Sequence, residues 1–177
     1  GIGLMNPMTM AAGIFHLFAH GMMKITLFFT AGAIYTKTHD LRINMLSGLG
    51  RVMPFTFTAY TICSLGIAGM PFTVGFISKW NILMGAVEDG KLWVIALLLV
   101  SAVLTCAYLL SVSYKAFFGK VVPSMQHIKG EPNLLCLFPL LTACFLSLVF
   151  GIFPDFAENF YQLAQMAAAN IFNGFFG

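Results

Sequence analysis

Apolar runs long enough to cross a lipid bilayer alternate with short polar clusters along the chain. The first run extends from about Met8 to Tyr35, and roughly 20 apolar residues suffice for a helical crossing. Lys37, His39, Asp40 and Arg42 follow, then Ser47-Gly48-Leu49-Gly50-Arg51, as a polar connection. Further spans are predicted at about 53–70, 72–87, 92–118 and 134–153. The second opens at Met53-Pro54, with proline at a tolerated first-turn position, and Thr58, Thr61 and Ser64 give it a polar edge suited to helix–helix contact. Glu88-Asp89-Gly90-Lys91 is a tight turn, residues 119–132 a loop, and Pro154-Asp155 ends the last span. The expected fold is all-α and membrane-integral, with about five transmembrane helices in residues 1–155. Residues 156–177 read as an amphipathic, Phe-rich interfacial tail that lies along the membrane surface or packs on another subunit.

One of these spans is expected to be broken. Gly69, Pro71 and Gly75 interrupt an apolar pattern that otherwise continues to Val87. Proline removes a backbone donor and glycine loosens the chain. Irregular backbone at membrane depth is tolerated only against protein or a water-filled cavity.

Composition supports the membrane reading. The chain of 177 residues is 59% hydrophobic and 8% charged, whereas soluble domains carry about 25% charged residues. A net charge of +3 spread over loops gives no basic patch for nucleic acid. Cys63, Cys106, Cys136 and Cys144 lie in apolar segments without metal-ligand spacing and read as small buried hydrophobes. The chain opens on Gly1 close to the first span, with no basic n-region before Ile14 and no A-x-A site. It is therefore expected to lack a signal peptide and to be missing the first residues of the native protein.

Charge placement carries more information than charge number. Lys24 and Lys79 are the only Lys, Arg, Asp or Glu residues far from a span end. Lys24 stands about 16 Å of helix from Tyr35, beyond the reach of a snorkelling stem of roughly 6 Å. His16, His20 and Lys24 repeat at i, i+4, i+8, which places them on one slowly drifting stripe about 12 Å long. Three titratable groups on one face in hydrocarbon read as a proton or ion path. For either histidine alone, a satisfied core position is the plainer reading. Ser78 and Asn81 flank Lys79 as candidate partners. Lys115, beside Tyr114, Phe117 and Phe118, ends a polar edge made by Ser101, Thr105 and Tyr108; it reads as an interfacial anchor or a pathway exit. Counted loop by loop, basic residues divide four to three between the two sides, too even to orient the chain.

Two stretches together resemble the antiporter-like membrane subunits. That family comprises the proton-pumping subunits of NADH:quinone oxidoreductase (complex I), the Mrp cation/proton antiporter subunits and membrane-bound hydrogenase subunits. His16, His20, Lys24, Leu27 and Phe28 are similar to the family's histidine–lysine helix. Gly69-Met70-Pro71, Gly75-Phe76 and Ser78-Lys79-Trp80 resemble its second broken helix. Ser-Lys-Trp and the Ser47–Arg51 lead-in look most like the Mrp D-type subunit. The resemblance covers roughly residues 8–120 and implies the C-terminal half-channel of a two-half transporter. It implies a proton path through Lys24, His20, His16 and Lys79, with other membrane subunits, lipid, protons and Na+ as partners. A prokaryotic cytoplasmic membrane is the implied location. The first half-channel and its usual glutamate have no counterpart here, since no predicted span contains a carboxylate.

No haem, flavin, iron–sulfur, metal or nucleotide motif occurs, and no cofactor is expected in this chain. The subunit reads as a transporter part, within an NADH:quinone oxidoreductase or hydrogenase if it belongs to one. Two other classes stay open at this point. One is a structural scaffold whose lysines only join helices; the other is a quinone-binding protein, for which aromatics are present without a distinctive site.

Overall fold

The computed structural model describes Leu4, residues 6–155 and residues 160–176, and these form six α-helices with no strand among the described residues. They are α1 (Pro7–Thr38), α2 (Pro54–Ala68), α3 (Val74–Glu88), α4 (Leu92–Phe118), α5 (Leu134–Ile152) and α6 (Phe160–Phe176). Three of them (α1, α4 and α5) are long and apolar enough to cross a membrane.

Helix α1 is the mast of the fold. Asn6 caps it by accepting from the Met8 amide, Pro7 occupies its first turn, and His39 at φ 52° closes it in the left-handed region. Its 32 residues rise about 48 Å. Helices α2 and α3 lie end to end along it. Phe57 shares a buried cluster with Ile34, near the end of α1. Gly66 and Gly75 sit against Met23, at its middle, and Gly85 sits against Thr9, near its start. Each short helix has 15 residues, about 22 Å of length against a hydrocarbon core of about 30 Å. The expected spans at 53–70 and 72–87 are therefore two halves of a single interrupted crossing.

The expected tail is corrected too. Helix α5 descends beside α1 until Phe150 meets Phe18 with ring centres 5.3 Å apart. Helix α6 then continues past Phe15, where Tyr161 makes a T-shaped contact at 5.3 Å. Further along it, Ala168 is buried in one cluster with Met10 and Ala11. Ala164 and Ala168 are its buried small residues at i, i+4, which let two helix backbones approach closely in lipid. The segment from Phe160 is thus a packed helix along α1, not a surface-lying tail; residues 156–159 and 177 lie outside the described residues.

This folding over regroups the loops. Ser47 donates to the Lys120 carbonyl (2.8 Å), and Arg51 Nε donates to the Phe117 carbonyl (2.8 Å). The Gly48 amide donates to the Lys115 carbonyl at 3.1 Å. The Ser47–Arg51 segment therefore ties down the end of α4, and Arg51 supplies a donor to the Phe117 carbonyl, one of the last-turn carbonyls without an intrahelical partner. Glu131 crosses from the second loop to the start of α2. Residues 39–53 and 119–133 consequently share one end of the bundle, with Lys37, Arg42, Arg51, Lys115, Lys120 and Lys129. Lys91 stands at the opposite end, where it donates to the Leu4 carbonyl and pairs with Asp89 at 3.5 Å. The even basic count of the sequence becomes strongly one-sided once α2 and α3 are a single traverse.

Candidate functional site

The break between α2 and α3 is built by Gly69. At φ 100° it takes the left-handed position that ends α2, and its amide donates back to Leu65 and Gly66. A side chain is disfavoured there twice over. The conformation strains any L-residue, and a Cβ would stand 3.0 Å from Lys79 Cδ. Residues 70–73 form the link, where Phe72 holds φ 68°, an uncommon backbone for a bulky residue. Pro71 lies in this link and is exposed.

Gly75 does not break the helix. It is the second residue of α3, and its missing Cβ makes room for the Gly66 carbonyl and, at 2.8 Å, for Met23 Cε. The sequence reads all three breakers alike because composition cannot separate a glycine that turns the chain from one that lets helices touch. Here close packing decides it.

Lys79 reaches back across the break. Its Nζ donates to the carbonyl of Ile67 at 2.5 Å and to that of Ala68 at 3.1 Å. The sequence neighbours proposed as partners are engaged elsewhere: Ser78 bonds His16 and Gly75, and Asn81 donates to the Ile77 carbonyl. The ammonium instead caps the open end of α2, whose last carbonyls carry the negative end of the helix dipole. A cavity of about 220 Å³ adjoins it, lined by Gly69, Phe76, Trp80, Leu98 and Ala102 among others. Lys79 thus stays inside the bundle, on protein.

The histidine stripe meets α3 at its lower end. His16 Nδ1 lies 2.7 Å from Ser78 Oγ, and the His16 and His20 ring centres are 5.7 Å apart. His20 is close enough to both Lys24 and Lys79 to interact electrostatically with them, and His16 interacts with Lys79. The 40° drift per step now has a spatial meaning. His16 faces α3, whereas Lys24 has turned toward the side of α1 that carries Leu17 (77% exposed) and Phe28 (72% exposed). Lys24 is half-buried and makes no hydrogen bond or ion pair among the described residues. The four expected site residues are therefore contiguous in space: His16 and Lys79 on the α1–α3 seam, His20 between, Lys24 at the open edge. Lys115 is exposed at the end of α4, apart from this group and at the basic end of the bundle.

Two long-range contacts that matter here have no signal in the sequence. Ser78 is the one hydrogen-bonding bridge from the stripe to α3 among the described residues. Glu131 accepts from the Phe55 amide (2.7 Å), the Thr56 hydroxyl (2.6 Å) and the Thr56 amide (3.4 Å). Both contacts join residues more than sixty positions apart, and no local pattern announces them. Cys63 and Cys144 are buried as expected, with Cys144 against the Ala59 carbonyl.

A half-buried lysine seated on a helix break, facing a histidine–lysine helix, is also the pattern of the family this chain resembles. Residues 1–105 match the family described as "NADH:quinone oxidoreductase/Mrp antiporter, TM". The chain belongs to this family. It is an integral membrane protein. NAD(P)H-quinone oxidoreductase chain 4 2 of Thermosynechococcus vestitus is 30% identical over 98% of this chain and 34% of its own length. NADH-quinone oxidoreductase subunit N of Desulforudis audaxviator is 29% identical over 88% of this chain and 33% of its own. A solved structure of the Mrp complex from Dietzia sp. superposes with a TM-score of 0.85 at 22% identity, covering 97% of this chain and 39% of the matched one. The fold is shared with that structure, and the chain spans about a third of the length of the curated relatives it matches.

Proposed function

We propose that this chain is the C-terminal half-channel of a proton-translocating membrane subunit in a multisubunit monovalent cation/proton antiporter. Lys24, His20, His16 and Lys79 carry the protons, with waters bridging between them. The observation that carries the reading is the succession of these four groups from the α1–α3 seam, where His16 and Lys79 lie beside the cavity at the break, through His20 to Lys24 at the open edge. Histidine titrates near physiological pH, and a lysine beside a low-dielectric cavity is a group that can release its proton. No bond to substrate is made, and the chain acts as a conduit.

The relatives named NAD(P)H- and NADH-quinone oxidoreductase subunits favour a second host, in which redox chemistry elsewhere in the complex drives the same conduit. The residues of the path are the same in both. The Leu17–Phe28 side of α1, toward which Lys24 turns, is exposed. The one-sided basic end supports a cytoplasmic side for residues 39–53 and 119–133 under the positive-inside rule, and a prokaryotic cytoplasmic membrane is the proposed setting.

The test is Lys24→Ala in the full-length subunit within its assembled complex, in vesicles with a pH-sensitive dye. Loss of proton movement with intact assembly is expected. Wild-type rates would remove Lys24 from the path. Host choice follows from the driver: acidification that needs NADH or quinone identifies the redox complex, and acidification driven by an imposed Na+ gradient identifies the antiporter.

A further inference from the structure

Ser78 is fully buried on α3, and its hydroxyl oxygen makes two contacts. One is to the carbonyl oxygen of Gly75 at 3.1 Å and the other to Nδ1 of His16 at 2.7 Å. A serine hydroxyl has one proton to donate and lone pairs to accept. The Gly75 carbonyl can only accept. Were the hydroxyl proton turned toward His16 instead, two acceptor oxygens would face each other at 3.1 Å with no proton between them. The proton therefore belongs to Gly75, and Nδ1 must carry its own hydrogen and donate it to Ser78.

We infer that Ser78 is a positioning residue that holds neutral His16 in the Nδ1–H tautomer, so that His16 gains and loses its proton at Nε2 alone. The imidazolium formed at Nε2 keeps the same Nδ1 hydrogen bond. Charging and discharging His16 then leaves the α1–α3 contact unchanged, the kind of fixed donor geometry that needs no reorganisation during transfer. Orientation of one ring nitrogen by a hydrogen bond at the other is the general way proteins choose a histidine tautomer.

A second consequence concerns the route. The Ser78 proton is committed to Gly75, so Ser78 is a latch and not a relay. Any proton that passes between the stripe and Lys79 therefore bypasses the Ser78 hydroxyl. The tautomer assignment stands on the hydrogen bonds alone; its bearing on proton movement rests on the function proposed above.

The experiment uses the full-length subunit in its assembled complex, labelled with ¹⁵N-histidine, at a pH where His16 is neutral. His16→Gln identifies the His16 resonances by their loss. Wild-type protein is expected to show a protonated Nδ1 and an unprotonated Nε2. Ser78→Ala is expected to move the population to mostly Nε2–H, the form an unconstrained neutral histidine side chain prefers, and Ser78→Thr to restore Nδ1–H. In vesicles, Ser78→Ala should displace the pH profile of proton movement, and should do nothing further when His16 is already Gln. An Nε2–H resonance in the wild type, or an unchanged tautomer in Ser78→Ala, overturns the assignment. Undiminished transport by His16→Gln with an Nδ1–H wild type would instead remove His16 from the path and leave the role of Ser78 intact.

Discussion

The Lys79 ammonium lies 2.5 Å from the carbonyl oxygen of Ile67, across the break that Gly69 makes. The group satisfies the end of a half-helix in a setting where unpaired carbonyls are costly, and in the function proposed above it also passes a proton. The two roles separate by substitution. Lys79→Met should lower stability by about 1–3 kcal/mol, the usual penalty for stranding a buried acceptor, and should stop transport. Lys79→Arg keeps donors over the carbonyls, so the melting temperature should stay near wild type. Transport should still fail, since a guanidinium does not release its proton in a protein. An arginine variant that pumps normally would show that the Lys79 proton is not transferred.

Gly75 gives a test of close packing. Replacing it with Ala drives a Cβ into the Gly66 carbonyl and to 2.8 Å from Met23 Cε. Overpacking of this kind typically costs 1–3 kcal/mol. The flexible methionine can move, but the backbone carbonyl cannot. Met23→Ala should therefore fail to rescue Gly75→Ala in a thermal unfolding assay. Full rescue would mean that the methionine contact, and not the approach of the two backbones, sets the size of this residue.

How far the sequence leads depends on the range of the interaction. Leu92–Phe118 and Leu134–Ile152 match the expected spans almost to the residue, because hydropathy and flanking polar turns are local. The stripe of His16, His20 and Lys24 is legible for the same reason, being a matter of helical period. Local signals fail where two segments must be seen together. An apolar run of 15 residues reads as a span whether it crosses alone or is stacked on another, so the sequence alone does not distinguish α2 and α3 from two separate crossings. The same blindness hid the basic end of the bundle, since the side on which each loop emerges depends on counting crossings. Ala164 and Ala168 were the one local hint that the last segment packs on a neighbour. The bonds of Ser78 to His16 and of Glu131 to Thr56 span 62 and 75 positions and leave no trace in either neighbourhood.

His20 and Lys24 should behave as one unit. They are one helical turn apart and interact electrostatically. Groups acting in series give strongly non-additive defects. His20→Ala and Lys24→Ala, each slowing proton movement in vesicles, should together slow it little more than the worse of the two. A double variant whose defect equals the product of the singles would show independent roles.

Glu131 offers the last test, at the far end of the interrupted crossing. Its two carboxylate oxygens accept from the Phe55 and Thr56 amides and the buried Thr56 hydroxyl. These amides belong to the first turn of α2, whose donors lack intrahelical partners, and a negative charge there also meets the positive end of the helix dipole. Met53 makes no side-chain cap, so the capping role falls to Glu131, 75 positions beyond Thr56. Glu131→Ala should cost about 1–2 kcal/mol, in the range of a lost N-cap, and should loosen residues 119–133 from the start of α2. Glu131→Gln keeps one acceptor for the Phe55 amide and can donate to the Thr56 hydroxyl oxygen, losing mainly the charge. Its loss should be the smaller one. Thermal unfolding of the two variants in detergent, with hydrogen exchange at Phe55 and Thr56, measures both effects. Faster exchange at these amides in Glu131→Ala, partly recovered in Glu131→Gln, is the expected order. Equal protection in all three proteins would show that α2 is held by its packing on α1 and α4 and that the carboxylate contributes nothing to it.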